Sequence, residues 1–165
     1  METSFWGPAA WKFGHTITFN YPLNPTSEDR QKYYNYFKNL GDILPCPSCA
    51  ESYKIYFQYI PIVEYLDDIY GITFWFYTIH YLVNKKLGKK NISFHQVVKI
   101  YYSQKASCPK VEITNLYNSG KCTAKPPTLD LNETYNNFKN NAESKYLQKI
   151  SNHISQLIKF YPSLK

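Results

Sequence analysis

The residues of this chain with the clearest chemical potential are two cysteines separated by two residues, Cys46-Pro47-Ser48-Cys49. Two thiols at this spacing interconvert with a disulfide with little backbone movement, and dithiol enzymes use the arrangement to exchange electrons with other thiols. The same spacing supplies half of many zinc sites, and it also occurs as a plain structural bridge. The pair therefore predicts redox chemistry, with zinc binding and a structural disulfide as alternatives.

The composition limits the class of protein. The chain has 165 residues, of which 44% are hydrophobic and 18% aromatic, so it can bury one good core and requires no second domain. The first residues lack the layout of a signal peptide, and the most apolar stretch, residues 74–83, is too short to span a membrane. We therefore expect a soluble, cytosolic protein, in which four cysteines more often serve catalysis or metal binding than a structural framework.

The net charge of +7 would suit an acidic partner such as nucleic acid. The lysines are scattered, however, with local clusters only at Lys85-Lys86 and Lys89-Lys90, and no base-reading or base-stacking motif accompanies them. We interpret the charge as solvated surface and expect no nucleic-acid partner.

Apolar residues recur at helical spacing along the chain, and alternating β-branched residues are scarce, which predicts an all-α fold. Five helices are expected before residue 108. Their predicted starts are prolines or capping side chains, namely Pro8, Thr26, Pro47, Thr73 and Ser93. The third start places Cys46 at a helix N-cap, where free backbone N–H groups and the helix dipole stabilise a thiolate.

A break at Lys125-Pro126-Pro127 precedes a different kind of segment. From Leu131 onward apolar residues recur in steps of three to four, which predicts an amphipathic helix. They are Tyr135, Phe138, Ala142, Tyr146, Ile150, Ile154, Leu157 and Tyr161. We expect this helix to pack on the domain, on a dimer or on a partner protein, with membrane-surface attachment as the alternative. The predicted organisation is a domain at 1–108, a linker with Cys122 at 109–130 and a helical extension at 131–165.

Three separated segments together resemble the Erv/ALR family of FAD-linked sulfhydryl oxidases. They are WGPAAWKFGH at residues 6–15, CPSCAE at 46–51 and HYLVNKKLGK at 80–89. Their order and approximate spacing match the family over about residues 5–108, and three ordered motifs are far more specific than one. The sequence is most similar to the members encoded by large cytoplasmic DNA viruses.

This resemblance implies a four-helix bundle with a short fifth helix that holds FAD, usually as a homodimer. It also implies a thiol oxidase in which Cys46 meets the substrate dithiol, Cys49 passes electrons to FAD, and oxygen accepts them to give hydrogen peroxide. The expected partners are protein dithiols or a thioredoxin-like relay protein, and molecular oxygen. The expected location is the host cytoplasm, at the viral factory, and the virion.

The resemblance further assigns cofactor contacts. Rings stack against adenine and isoalloxazine, an asparagine supplies hydrogen bonds, and lysines meet the pyrophosphate. The residues assigned to FAD are Gly7, Trp11, His15, Cys49, His80, Val83, Asn84, Lys86, Lys89 and Tyr101. No metal ligands are expected, because Cys108 and Cys122 are too far apart in sequence to form a second zinc-binding pair.

The sequence departs from the family pattern in places. Tyr81 stands where the family usually has asparagine, and Tyr101 where a cofactor-packing tryptophan often lies. A disulfide that clamps the fifth helix in many members cannot form here, because its first cysteine would fall near Phe94. Cys108 and Cys122 are predicted to bridge the loop between them, to act as a shuttle dithiol that feeds the first pair, or to stay unpaired.

Two other functions remain open from the sequence. A flavin-free exchanger would use the same dithiol without a cofactor, and a non-catalytic basic helical module would use it only as a structural bridge. A thioredoxin-like enzyme is disfavoured, because its dithiol follows a strand whereas the segment before Cys46 has the pattern of a helix.

Overall fold

The computed structural model of the chain describes residues 1–104 and 131–162. Within those ranges every regular element is helical, which confirms the predicted all-α class. The elements are α1 (Thr3–Phe19), α2 (Ser27–Ile43), α3 (Pro47–Tyr59), a 3-10 turn (Ile62–Tyr65), α4 (Ile69–Lys86), α5 (Phe94–Tyr102) and α6 (Leu131–Phe160).

Three predicted helix starts are confirmed. Thr26 and Asp29 form a capping box, in which Thr26 Oγ1 accepts from the Asp29 amide and the Asp29 carboxylate accepts from the Thr26 amide. Ser93 and Gln96 form the same motif at α5. Cys46 is the N-cap of α3. These side chains satisfy backbone N–H groups that a helix leaves unpaired in its first turn, so each start is fixed locally.

Two predicted starts are wrong. Helix α1 begins at Thr3, and Pro8 lies inside it, because the fixed φ of proline is compatible with a helix and the ring removes only one backbone hydrogen bond near the end. Helix α4 begins at Ile69, with Asp68 as its N-cap through a 2.8 Å bond from the Gly71 amide. Thr73 lies one turn inside, and its hydroxyl donates to the Ile69 carbonyl at 2.7 Å.

Helix α4 is the centre of the fold. Its residues are buried on nearly all sides from Ile69 to Ile79, and α1, the 3-10 turn, α5 and α6 lie around it. Trp75, which is fully buried, donates its indole N–H to the Ile60 carbonyl at 2.7 Å and so ties α4 to the end of α3. A helix that is apolar all round needs neighbours on every face, and the remaining helices supply them.

Helix α6 packs along α3, α4 and α5 of its own chain. Its buried side chains are Tyr135, Phe138, Ala142, Tyr146, Ile150 and Leu157, which are members of the predicted apolar stripe. Gly71 lets α6 approach closely, since a Cβ there would lie 2.7 Å from the Tyr146 ring. The stripe is therefore buried on the domain, and the core of the bundle includes it.

The predicted domain boundary and the linker fall in residues 105–130, outside the described ranges, and they stay predictions. None of the helices that the structure describes combines the length and the apolar character needed to cross a membrane.

Candidate functional site

The dithiol lies at the N-terminus of α3. Cys46 and Cys49 form a disulfide with their Cα atoms 5.2 Å apart, and both residues are half-buried. As the N-cap, Cys46 accepts the Cys49 amide N–H on Sγ at 3.3 Å, and its carbonyl accepts from the Ala50 amide at 2.9 Å. The predicted redox pair is therefore oxidised, partly accessible, and placed where backbone N–H groups point at sulfur.

A chain of polar contacts continues from this disulfide. Ser48 Oγ lies 3.4 Å from Cys46 Sγ. One turn later, the Ser52 hydroxyl donates to the Ser48 carbonyl at 2.8 Å, and Lys86 Nζ donates to Ser52 Oγ at 2.6 Å. The last turn of α4 is thereby joined to the first turns of α3.

A ring cluster forms where α1, α4 and α5 meet. The Trp11 and His80 rings are stacked, with centroids 4.0 Å apart and an interplanar angle of 3°. His15 Nε2 lies 3.1 Å from His80 Nδ1, and the His15 ring stacks on Tyr101 at 4.9 Å. The fold thus brings together four residues that the sequence predicted for one cofactor site.

Both histidines of this cluster are kept neutral. Burial, and secondarily the neighbouring His80, lowers the pKa of His15 to about 3. Burial, and secondarily the charge of Lys89, lowers the pKa of His80 to about 4. One imidazole therefore donates to the other at neutral pH, and the shared hydrogen bond uses one nitrogen of each ring.

The remaining nitrogen of His15 is buried without a partner. His15 is 1% exposed, and its Nδ1 has no hydrogen bond to any residue in the described ranges. The Trp6 indole nitrogen and the Tyr56 and Tyr146 hydroxyls are also buried without a partner in the described ranges. Leaving a buried polar atom unpaired costs about 1–3 kcal/mol. The unpaired His15 nitrogen belongs to the ring cluster and lines the groove described next, so it indicates a place where a ligand supplies the missing bond.

A groove of about 70 Å³ opens next to the rings. His15, His80, Asn84 and Tyr101, all predicted site residues, line it together with Asn91 and apolar residues of α5. Asn84 is held in place by a 3.1 Å bond from its Nδ2 to Asn91 Oδ1. A larger depression of about 280 Å³ lies between α2 and the 3-10 turn, and it contains none of the predicted site residues.

Three other predicted contacts, Gly7, Val83 and Lys89, are not among the residues that line this groove. Gly7 is in α1, and the space that a Cβ would take there is empty. Val83 is half-buried on α4. Lys89 follows Gly88, whose φ of 63° turns the chain at the end of α4, and the Lys89 amide donates to the Asn84 carbonyl at 2.8 Å.

Lys86 was also predicted to contact the cofactor. In the structure its ammonium donates a hydrogen bond to Ser52 on α3. Cys108 and Cys122 lie outside the described residues. Within the described ranges, no group of three or more histidine, cysteine or acidic side chains is placed to hold a metal ion.

Some residues that shape the site were missed from the sequence. The Phe76 ring contacts both Trp11 and His15, with centroid distances of 5.3 Å and 4.9 Å. Gly14 leaves the space that this ring fills, because a Cβ there would overlap it. The available signal was the position of Phe76 four residues before His80, which puts both on one face of α4.

The model of the Erv1/Alr family matches residues 8–103 of this chain. That range contains the dithiol and the ring cluster described above. The match confirms the resemblance that the three sequence motifs indicate.

Several known proteins are similar in sequence. A probable FAD-linked sulfhydryl oxidase of Acanthamoeba polyphaga mimivirus is 32% identical over 100 residues, which cover 60% of this chain and 70% of that protein. An FAD-linked sulfhydryl oxidase of African swine fever virus is 27% identical over 96 residues, or 58% of this chain and 79% of that protein. The mitochondrial FAD-linked sulfhydryl oxidase erv1 of Schizosaccharomyces pombe is 30% identical over 83 residues, covering 50% and 46%.

Two solved structures share the fold. The yeast Erv1 core and a cysteine-to-serine double mutant of Erv1 from Saccharomyces cerevisiae each align with a TM-score of 0.58. Each alignment covers 61% of this chain and 84% of the solved chain, at 22% and 21% sequence identity respectively. At that identity the likeness establishes the helical architecture.

Proposed function

The chain belongs to the Erv1/Alr family, and on this basis we propose that it is an FAD-dependent thiol oxidase that forms protein disulfides. The observation that carries the proposal is the Cys46–Cys49 disulfide at the N-terminus of α3. The similar proteins support the same conclusion, because they are named FAD-linked sulfhydryl oxidases. A disulfide at a helix N-terminus is well placed to accept electrons from thiols, since the thiolate it releases is stabilised there.

In the proposed reaction a substrate thiolate attacks Cys46 Sγ. A new sulfur–sulfur bond forms as the Cys46–Cys49 bond breaks, and the negative charge leaves on Cys49 Sγ. The second thiolate of the substrate then attacks the substrate sulfur of the mixed disulfide, which completes the substrate disulfide and releases Cys46. The backbone N–H groups at the start of α3 stabilise both departing thiolates.

The FAD that Trp11, His15, His80 and Tyr101 would hold would supply the two-electron acceptor for the reduced dithiol, with oxygen as the final acceptor and hydrogen peroxide as the product. The donor set fits this cofactor: Trp11 and Tyr101 offer ring faces, and His15 offers a buried nitrogen without a partner in the described ranges. Lys89 adds a cation beside His80 that suits a pyrophosphate. The groove of about 70 Å³ that His15, His80, Asn84 and Tyr101 line forms part of this proposed site.

The proposal extends to partners and location. The substrates are protein dithiols, reached directly or through a thioredoxin-like relay protein, and the protein acts as a homodimer. The side chains of Phe5 and Phe13 on α1 are 79% and 61% exposed. Exposed aromatic side chains of this kind support a dimer interface on that helix. We further propose that the protein is located in the host cytoplasm at the viral factory, and in the virion.

The decisive experiment is spectroscopic and enzymatic. Purified protein should be yellow, should release FAD on denaturation, and should consume oxygen when supplied with dithiothreitol. Cys46→Ser and Cys49→Ser should each retain FAD and lose at least about 1,000-fold in oxygen consumption, because either change removes the electron-accepting disulfide. Ser151→Ala, on the exposed surface of α6, is the matched control and should behave as the unmodified protein.

Colourless protein that still exchanges disulfides would favour the flavin-free exchanger over the oxidase. Colourless protein without exchange activity would leave the basic structural module. Full oxygen consumption by either cysteine variant would exclude the pair from the reaction.

The predicted roles of Cys108 and Cys122 can be distinguished by replacing both residues with serine. If they are a shuttle, oxidation of a protein substrate should fall while oxidation of dithiothreitol persists. If they only bridge their loop, both substrates should be affected equally.

A further inference from the structure

The contact between Lys86 and Ser52 places a cation next to the dithiol helix. Lys86 Nζ donates to Ser52 Oγ at 2.6 Å, and this hydroxyl donates in turn to the Ser48 carbonyl at 2.8 Å. Ser52 is only 9% exposed, and it has both its hydroxyl hydrogen and an oxygen lone pair engaged. This hydrogen bond holds the ammonium of Lys86, a residue that is otherwise exposed, at the first two turns of α3.

The charge of Lys86 is not compensated there. Its hydrogen-bond acceptor is a neutral hydroxyl, and among the residues that the structure describes no carboxylate forms an ion pair with it. Ser52 follows Cys49 by three residues, so the two side chains are neighbours on one face of α3. The ammonium thus adds to the positive end of the helix on the side where Cys49 lies.

We infer that Lys86 is a positioning residue for the dithiol, whose ammonium, held by Ser52, stabilises the thiolate on Cys49. The inference rests on the proposed function for the identity of the reaction. When a thiolate bonds to Cys46 Sγ, the Cys46–Cys49 bond breaks and its electron pair remains on Cys49 Sγ as negative charge. A nearby cation favours the charged form of a thiol and therefore favours opening of the disulfide.

This role differs from the pyrophosphate contact that the family resemblance assigned to Lys86. A pyrophosphate contact would affect FAD binding and leave the dithiol unchanged. A dithiol contact would change the thiol chemistry of Cys49 and the stability of the disulfide, with FAD occupancy maintained.

The test compares Lys86→Met, Lys86→Arg and Lys85→Met in the purified, full-length protein. The first removes the charge, the second retains it, and the third removes the charge of an exposed neighbour as the matched control. The fraction of reduced Cys46–Cys49 pair is measured without oxygen, by mass shift after alkylation across glutathione buffers. Lys86→Met should shift this equilibrium about tenfold toward the disulfide, whereas Lys86→Arg and Lys85→Met should stay within about twofold.

A second readout uses the same replacements in the Cys46→Ser background. The rate at which iodoacetamide alkylates Cys49 is followed against pH, and Lys86→Met should move the profile upward by about one pH unit. Ser52→Ala keeps the charge of Lys86 but removes the hydroxyl that holds its ammonium, so it should move the profile in the same direction by a smaller amount. It also preserves the test if Lys86→Met fails to fold.

Unchanged glutathione equilibrium and alkylation profile in Lys86→Met would overturn the inference, and loss of FAD with those two values unchanged would assign Lys86 to the cofactor. Neither readout involves oxygen consumption. Failure of the oxidase proposal would instead appear as an unmodified protein that contains no FAD and consumes no oxygen.

Discussion

Polar groups lie on two sides of helix α4, and their hydrogen bonding differs between the two sides. On the side of α1 and α5, His15 and His80 are packed among rings, and one buried nitrogen has no partner in the described ranges. At the start of α4, the ionisable nitrogens of α6 are paired: His153 Nδ1 lies 2.8 Å from the Tyr65 hydroxyl, and Lys145 Nζ lies 2.8 Å from Asp68 Oδ2. The Tyr146 hydroxyl beside them is buried without a partner in the described ranges.

The difference separates two tasks in one small bundle. Buried polar groups normally find partners within the protein, because leaving them unpaired costs stability. The α6 side follows this rule for its charges and adds a continuous apolar stripe, so it stabilises the fold. The ring cluster breaks the rule at the place where the family resemblance puts a cofactor, so its unpaired atom is available to a ligand.

The largest expected effect is on the α6 side, where neighbouring residues have opposite burial. Tyr146 is fully buried against Tyr65 and Gly71, whereas Leu147 is 49% exposed. Tyr146→Ala should lower the free energy of unfolding by about 3–5 kcal/mol, as for other large aromatic truncations in cores. Leu147→Ala should change it by less than about 0.5 kcal/mol. Denaturant unfolding measures both, and equal losses would mean that α6 is not docked as described.

The next effect is on the cofactor side. Trp11→Ala removes the ring that stacks on His80, so FAD occupancy and melting temperature should fall together. At a ligand concentration about 100 times the Kd, complete loss of binding removes about 2.7 kcal/mol of stabilisation. Lys12→Ala, at the exposed adjacent position, is the control for both measurements. Full FAD content in Trp11→Ala would remove this residue from the cofactor site.

The histidine pair predicts a pH dependence of stability with a defined sign. The pKa values of His15 and His80 are lowered to about 3 and about 4, so between those values and the ordinary value of 6.5 the unfolded chain binds protons that the folded chain does not. The free energy of unfolding should therefore be constant above about pH 7 and fall on acidification, by up to about 1.4 kcal/mol per pH unit for each histidine.

Replacing one member of the pair checks the origin of this slope. His80→Gln should reduce the slope by about half between about pH 6.5 and pH 4, because His15 keeps its own contribution, whereas His95→Gln, away from the pair, should leave the slope unchanged. Urea unfolding at a series of pH values gives the slope. A slope that is not reduced in His80→Gln would place its origin in other groups.

The smallest expected effect concerns Asp68, which both caps α4 and pairs with Lys145. Asp68→Asn keeps an oxygen for the cap and loses only the charge, so it should cost about 0.2–1 kcal/mol and less at high salt, since Lys145 is half exposed. Asp68→Ala also loses the cap and should cost about 1 kcal/mol more. Identical losses in the two variants would assign the whole effect to the ion pair and would exclude a contribution from the cap.

The family, the helices with local start signals and the apolar stripe of α6 were all determined by the sequence. Capping motifs such as Thr26 with Asp29 join residues three positions apart, so they are readable without knowledge of the fold. The same local signals failed at Pro8 and Thr73. Both residues are compatible with a helix interior as well as with its start. Burial of Ile69, Gly71 and Ile72 accounts for the earlier start of α4, whereas the residues before Pro8 are exposed or half-buried, so burial does not explain the earlier start of α1.

Only the tertiary structure decided which distant side chains meet. The sequence placed His15 and His80 in one site, but their hydrogen bond, the lowered pKa values and the unpaired nitrogen follow from how α1 and α4 pack. The partner of Lys86 was likewise undetermined, because a long flexible side chain can reach several neighbours. Spacing along a helix sets the face on which a residue lies, whereas burial and pairing depend on helices brought together by the core as a whole.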